Sequence, residues 1–171
     1  GKLLGAIEIF SDNSSKIAAL ERIETLIKES LIDPLTSIGN RRYCEITLKH
    51  RLDEVKRYKW SSGIMICDLD HFKQINDTHG HDVGDQVLKM VSETLKNAVR
   101  SYDFVGRWGG EEFVILLPNI QSHANLLELA ERTRKLVEHS RLDLEGASIS
   151  ITISIGATLF SSTDTEESAF K

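Results

Sequence analysis

The residues best suited to do chemistry form the heptapeptide RWGGEEF at positions 107–113. Two glycines between β-prone segments predict a tight hairpin turn, which places Glu111 and Glu112 at one end of a sheet. Asp68 closes a second apolar run, IMIC at 64–67, which is typical of a buried strand. If these strands are neighbours, three carboxylates converge where Mg²⁺ and a nucleoside triphosphate would bind.

Four separated blocks resemble the GGDEF domain family of diguanylate cyclases, here in a GGEEF variant. In chain order they are DPLT with NRR at 33–42, DLDHFKQIND at 68–77, GHDVGD at 80–85 and the hairpin itself. A fifth block, SIG at 154–156, resembles the late strand of that family. A lone GGEE would be a weak signal, whereas these blocks in this order are specific. The resemblance spans residues 33–160.

Composition narrows the possible function classes. The 171 residues are enough to bury a full core, and most of the chain suits one domain. A net charge of −5, from 21 basic and 26 acidic residues, argues against a broad nucleic-acid footprint. No apolar run reaches membrane length, although the parent protein could be membrane-attached. Cys44 and Cys67 belong to no paired metal motif, so we expect a reducing cytoplasm.

The N-terminal part predicts two elements before the main domain. Residues 1–12 include a weakly alternating segment that resembles the last strand of a PAS sensor domain. Residues 13–32 predict a signalling helix with a coiled-coil stripe, and packing of this helix on its own domain is the alternative. The stripe residues, spaced 3, 4, 3 and 4 apart, are Ile17, Leu20, Glu24, Ile27 and Leu31. We expect residues 33–171 to be a GGDEF domain truncated before the family's C-terminal helix.

Hydrophobic periodicity predicts an α+β fold for residues 33–171, with helices on one side of an antiparallel-rich sheet. The resemblance implies a ferredoxin-like palm core, as in class III nucleotide cyclases. The predicted helices are 40–58, with Ile46, Leu48, Leu52 and Val55 facing inward, 72–77, one following Asp82, and 122–139. The predicted strands are 63–68, 103–107, 112–117 and 148–160, the last with Ile149, Ile151, Ile153 and Ile155 on one face.

The resemblance also implies roles around the hairpin. Asp68 and Glu112 would be metal ligands together with the Leu69 carbonyl, for Mg²⁺ or Mn²⁺, two ions per half-site. Glu111 would help to hold metal and act as a base toward the attacking hydroxyl. Gly109 and Gly110 would let the backbone approach the phosphates, where a Cβ would intrude.

Further positions would bind the nucleotide. Lys73 and the amides around His71 and Phe72 would contact the triphosphate. Asn76 and Asp85 would recognise guanine, because their side chains complement its donors and acceptors. Leu35 and Leu88 would lie beside the base or are plain core leucines, and both interpretations stay open.

Four charged residues outside this set have expected roles of their own. Asp33 is expected to have a structural role, and Arg107 to pair with an acidic partner near the hairpin. Arg100 and Asp103 resemble the family's inhibitory Arg-x-x-Asp site, at which the reaction product binds and inhibits the enzyme. The alternative is a salt bridge at the end of a helix.

The implied reaction joins two GTP molecules into cyclic di-GMP and two pyrophosphates across a head-to-tail homodimer. An N-terminal sensor domain would control how the two chains meet, and cyclic di-GMP would be both product and inhibitor. The alternative is a non-catalytic module that binds GTP or cyclic di-GMP and passes a signal on. Retention of Asp68, Glu111 and Glu112 favours the enzyme.

Overall fold

The structure is a computed structural model that describes residues 17, 22, 30–144 and 146–170. The chain divides into two compact units, Gly1–Ser30 and Leu31–Lys171. In the first unit the described residues Ile17, Arg22 and Ser30 are helical. The predicted PAS-like strand and the stripe residues Leu20, Glu24 and Ile27 lie outside the described residues.

The second unit contains helices and strands in alternation, which confirms the α+β class. The helices are α1 (Arg41–Tyr58), α2 (Phe72–His79), α3 (His81–Ala98) and α4 (His123–His139), followed by a short 3₁₀ helix at Ser168–Phe170. The strands are β1 (Ser62–Leu69), β2 (Phe104–Gly109), β3 (Glu112–Pro118), β4 (Leu142–Leu144), β5 (Ala147–Ile149) and β6 (Ile153–Leu159).

Strand β1 is central in a four-stranded antiparallel sheet of order β2-β3-β1-β6. Its last polar residue, Asp68, lies opposite Glu112 of β3 on one side and Ser154 of β6 on the other. The outer edge of β2 is covered by the segment before α1, where the Gly39 amide donates to the Val105 carbonyl at 3.2 Å. This register brings the acidic ends of β1 and β3 together.

Helices cover both faces of this sheet, so the expectation of helices on one side is wrong. Met65 and Ile115 face a core formed with α3 and α4, whereas Ile64 and Val114 face a second core formed with α1. The apolar residues of β1 and β3 are consecutive rather than alternating, and a strand of that kind needs cover on both faces. Within α1, Cys44 is buried and Ile46 is exposed, which corrects one predicted inward position.

The predicted strand 148–160 is two strands that belong to different sheets. Strand β5 pairs with β4, which the sequence did not predict, and β6 joins the main sheet only from Ile153. Between them, the Thr152 carbonyl and hydroxyl are bonded to the amide and carboxylate of Asp70, at 3.0 and 2.6 Å. The predicted apolar face is nevertheless confirmed for Ile149, Ile151 and Ile153, which are buried.

Polar side chains begin two of the helices as the sequence predicts. The Asn40 side-chain oxygen accepts from the Tyr43 amide at 3.0 Å, and the Ser122 hydroxyl accepts from the Asn125 amide at 3.2 Å. Each satisfies a backbone donor that lacks an intrahelical partner. Among the described helices, none combines the length and the apolar character that crossing a membrane requires.

Candidate active site

The hairpin between β2 and β3 turns at Gly110 and Glu111. Gly109 pairs with Glu112, and the register shifts between Arg107 and Gly109, which marks a bulge. Gly110 has a φ of +52°, in the left-handed region that glycine adopts without strain. The expected tight turn is therefore confirmed, one residue later than the glycine pair suggests, and Glu111 lies at its tip.

Arg107 ties this turn to the segment before α1. Its Nε donates to the Gly110 carbonyl at 2.9 Å, and its Nη1 lies 3.4 Å from Asp33 Oδ1. Asp33 also accepts from the Thr36 amide at 2.9 Å and the Thr36 hydroxyl at 2.6 Å. Burial raises the pKa of Asp33, but the Thr36 hydrogen bonds and the Arg107 charge outweigh it, so the pKa lies below its ordinary value. The expected acidic partner of Arg107 is thus Asp33.

The carboxylate of Asp68 lies in an acidic environment at the end of β1. Partial desolvation and then the charges of Glu111 and Asp70 raise the pKa of Asp68. The Leu69 amide donates to the Glu111 carbonyl at 3.4 Å, so the turn lies against the end of β1. Mutual repulsion of this kind is what a bound cation relieves.

The donor set fits Mg²⁺ in the way that this ion usually binds. Among the described residues, no three His, Cys, Asp or Glu side chains are already grouped as a metal site. Mg²⁺ commonly binds through one or two carboxylates, with waters and substrate phosphates completing its octahedron. Asp68, Glu112 and the Leu69 carbonyl carry hard oxygen donors of that type, and the Glu111 carboxylate carries another.

Asp70 has a structural role that its sequence context does not indicate. Its carboxylate accepts from the Thr152 hydroxyl at 2.6 Å and the Ser154 hydroxyl at 2.7 Å, and these bonds lower its pKa. Asp70 therefore fastens the turn after β1, including the Leu69 carbonyl, to the start of β6. The partners lie more than 80 residues away in sequence, so no local pattern indicates this role.

The start of α2 suits an anion. His71 has a φ of +59° and gives the helix no side-chain cap. The first amides of a helix, here those of Phe72 and Lys73, have no intrahelical carbonyl to bond. Lys73 is exposed and adds a positive charge. The expected contacts with a triphosphate are compatible with this geometry.

The residues expected to read guanine lie on neighbouring helices. Asn76 is half-buried on α2 and Asp85 is exposed on α3. Leu88 is only 2 % exposed and belongs to the core, which supports the plain core interpretation for it. Leu35 is partly buried against the same core.

Arg100 and Asp103 form a compact turn rather than a side-chain salt bridge. Asp103 Oδ2 accepts from the Arg100 amide at 2.8 Å, and the Arg100 guanidinium donates to the Tyr102 hydroxyl at 2.7 Å. Burial raises the pKa of Asp103, against the opposing effects of the Arg100 and Arg51 charges. Both residues border a cleft of about 550 Å³ that also contains Arg132 and Lys135.

Comparisons with known proteins show which sequences this chain is similar to. Residues 30–170 match the family described as diguanylate cyclase, GGDEF domain. The chain is 39% identical over 153 residues to diguanylate cyclase DgcP of Pseudomonas aeruginosa, and 40% identical over 130 residues to diguanylate cyclase DosC of Escherichia coli. These alignments cover 87% and 75% of the chain but only 22% and 28% of the two relatives.

A solved structure has the same fold. The crystal structure of the coiled coil and GGDEF domain of DgcB from Caulobacter crescentus, in complex with c-di-GMP, superposes with a TM-score of 0.84 at 25% identity. It covers 93% of this chain and 85% of that one. With the family match extending over most of its length, the chain belongs to the GGDEF domain family of diguanylate cyclases.

Proposed function

We propose that this chain is the catalytic domain of a diguanylate cyclase, which condenses two GTP into cyclic di-GMP and two pyrophosphates. The observation that carries the proposal is the group of acidic residues at the adjoining ends of β1 and β3. Asp68 lies opposite Glu112 there, and Glu111 is in the turn next to them. In each half-reaction a 3′-hydroxyl oxygen bonds to the α-phosphorus of the other GTP, and the bond from that phosphorus to pyrophosphate breaks.

Each acidic residue has a defined task in this proposal. Glu111 accepts the proton of the attacking 3′-hydroxyl. Asp68, Glu112 and the Leu69 carbonyl would hold Mg²⁺ or Mn²⁺, two ions per half-site, with Glu111 assisting. Such ions, when bound, neutralise the charge of the triphosphate and of the leaving pyrophosphate. Arg107 and Asp70 hold the hairpin and the end of β1 in place.

Nucleotide binding is divided between α2 and α3. Lys73 and the amides around His71 and Phe72 bind the triphosphate, and Gly109 and Gly110 leave room for it. Asn76 and Asp85 recognise guanine, since adenine would leave the Asp85 carboxylate facing no donor, a discrimination of ~1–3 kcal/mol. Leu35 lies beside the base.

We further propose that cyclic di-GMP inhibits the enzyme at Arg100 and Asp103. The guanidinium offers a fork of donors to a guanine edge or a phosphate, and the carboxylate accepts from the base. The cleft next to them is large enough for nucleotide groups, and its lining carries both signs of charge, with Arg132 and Lys135 beside Glu128 and Glu131.

The parent protein would be a cytoplasmic homodimer, free or attached to a membrane, under the control of an N-terminal sensor. In this proposal residues 1–12 are the end of a PAS-like domain, 13–32 the signalling helix and 33–171 the GGDEF domain. Each chain brings one GTP, so the geometry of the two chains controls the rate. Nucleic acid is not a partner.

The deciding experiment is GTP turnover with Mg²⁺ by the wild-type chain and by Glu111→Ala, with the products resolved by chromatography. We expect cyclic di-GMP from the wild type and a rate lower by about 10²–10⁴-fold from the variant. Glu93→Ala, which removes an exposed glutamate on α3, is the matched control. Cyclic di-GMP added at the start should slow the wild type.

The binding-only alternative gives a different result. A chain extended past Lys171 that binds GTP or cyclic di-GMP by calorimetry but makes no product, under conditions where it is dimeric, would overturn the catalytic proposal. Product formed equally by the wild type and Glu111→Ala would overturn the assignment of Glu111 as the base.

A further inference from the structure

Gly84 lies near the start of α3, where a glycine disfavours the helix. Its backbone gives no reason for the choice, because positive φ angles occur at Gly80, Gly110 and Gly146 but not at Gly84. The conformational freedom of glycine is therefore not what this position requires. The requirement comes from the space around the missing side chain.

That space is occupied by Asn76 of the preceding helix. A Cβ built on Gly84 would collide with Asn76 Oδ1 and would stand 3.0 Å from Asn76 Cγ. The next neighbour is Phe72 Cζ, at 3.3 Å. The amide of Asn76 therefore packs directly on the backbone of α3, in a place that only a residue without a side chain leaves open.

Of the groups in this contact, the Asn76 amide is the one that can move. Phe72 is 7 % exposed and Gly84 is buried within a helix. Asn76 is half-buried, and its amide can rotate about two torsions. Within the described part of the chain, no side-chain hydrogen bond holds that amide. An alanine at position 84 would accordingly displace the amide and leave the helices where they are.

We infer that Gly84 is a positioning residue for recognition of the nucleotide base: having no Cβ, it lets the Asn76 amide lie against α3 beside Asp85. The inference rests on the proposed function, which assigns Asn76 and Asp85 to guanine. What it adds is that Gly84, which would touch no nucleotide itself, sets the orientation of Asn76, which would. Gly84→Ala should impair nucleotide binding and leave the fold as stable as before, or more stable.

The test compares Gly84→Ala, Asn76→Ala and the double variant, with GTP and Mg²⁺ as the probe. We expect Gly84→Ala to raise the KM for GTP about tenfold, as for the loss of a hydrogen-bonded pair. The kcat should stay within about twofold of the wild-type value. A contact between Asn76 and the base that is equally strong in the ground state and the transition state affects KM and not kcat. The melting temperature should be equal or higher, because alanine favours the helix.

A control glycine separates this effect from glycine replacement in general. A Cβ added at Gly156 of β6 meets nothing within 4 Å, so Gly156→Ala should leave the KM unchanged. The double variant shows whether Gly84 acts through Asn76. In the Asn76→Ala background, Gly84→Ala should raise the KM no further, because the amide that it displaces is already absent.

Three outcomes would overturn the inference: an unchanged KM in Gly84→Ala, a melting temperature well below the wild type, or full additivity in the double variant. A measurement made without nucleotide tests the contact between Gly84 and Asn76 independently of the proposed function. In ¹⁵N-labelled protein, the Asn76 side-chain NH₂ resonances should shift in Gly84→Ala and stay in place in Gly156→Ala. If the wild type turned over no GTP, this shift would still report on the contact, whereas unmoved resonances would refute it.

Discussion

Arg107 and Asp33 connect the hairpin between β2 and β3 to a segment 74 residues earlier in the chain. Arg107 also donates to the Gly110 carbonyl, so the pair bears on the residue just before Glu111. Both side chains are mostly buried, at 16% and 17% exposure. An ion pair in that setting is screened less by salt than one at the surface.

We expect Asp33→Asn to lower the free energy of unfolding at neutral pH by about 1–3 kcal/mol and to slow turnover. The folded-state pKa of Asp33 lies below the ordinary value of 3.8. The stabilisation is therefore fully present above that value and is lost as the pH falls through the lower folded-state pKa. Urea denaturation of wild type and variant, from neutral pH to about pH 3, measures the difference.

Asp53→Asn, which replaces an exposed aspartate of α1, serves as the control and should change the free energy of unfolding little. A loss in Asp33→Asn that is as large in acid as at neutral pH would show that the charge of Asp33 is not responsible. In that case shape and hydrogen bonding to Thr36 would account for the effect.

For single residues, the sequence predicts where some of them lie in the fold and gives no indication of what others contact. Asp68 and the hairpin glutamates are recognisable because their type and their place at strand ends already indicate chemistry. Asp70 and Gly84 are not, because what they do depends on contacts with side chains of other elements. One acts through hydroxyls of a distant strand and the other through the absence of a side chain.

Among the helices, α4 carries a polar group that its surroundings do not satisfy. Thr133 is fully buried, and its hydroxyl has no hydrogen-bond partner among the described residues. Its neighbours on the same face are apolar, including Ala130 and Val137. A buried hydroxyl without a partner destabilises the fold, because its bonds to water are lost and not replaced.

Replacing this threonine by valine should therefore stabilise the protein by about 1 kcal/mol, since valine keeps the β-branched shape. Thermal or urea denaturation is the measurement. Thr94→Val on α3 is the matched control, because the Thr94 hydroxyl donates to the Met90 carbonyl at 2.9 Å and lies 3.0 Å from Ser140 Oγ. The control should be destabilised, and a Thr133→Val that loses as much as the control would show that its hydroxyl is bonded.

The elements themselves were largely predictable from periodicity and caps. Asn40 and Ser122 begin α1 and α4 where the sequence indicates. The prediction of one strand over 148–160 is wrong because the regular spacing of the isoleucines indicates which face is buried. It does not indicate the strand with which each part of the segment pairs. The prediction that Ile46 faces inward is wrong because the buried stripe of α1 starts at Cys44 and continues four residues later at Leu48. Ile46 lies two residues from each of them and is therefore on another face of the helix.

At the scale of the whole molecule, the proposed product contains two nucleotides, whereas each chain has one acidic hairpin among its described residues. Two chains must then meet for each turnover. The predicted coiled-coil stripe, from Ile17 to Leu31, covers only about two heptads, which is too short to hold a stable dimer by itself. We therefore expect chains that associate weakly, so that activity depends on protein concentration.

The specific activity should rise in proportion to protein concentration in dilute solution and level off once dimers predominate. Initial rates over a hundredfold dilution series, with sedimentation velocity on the same samples, measure both quantities. Wild type and Glu93→Ala should follow one curve, because that glutamate is exposed on α3 and belongs neither to the hairpin nor to the proposed nucleotide-binding residues. A constant specific activity in samples that sediment as monomers would contradict the two-chain reaction. Constant activity in samples that sediment as dimers would agree with it, since the dissociation constant would then lie below the range measured.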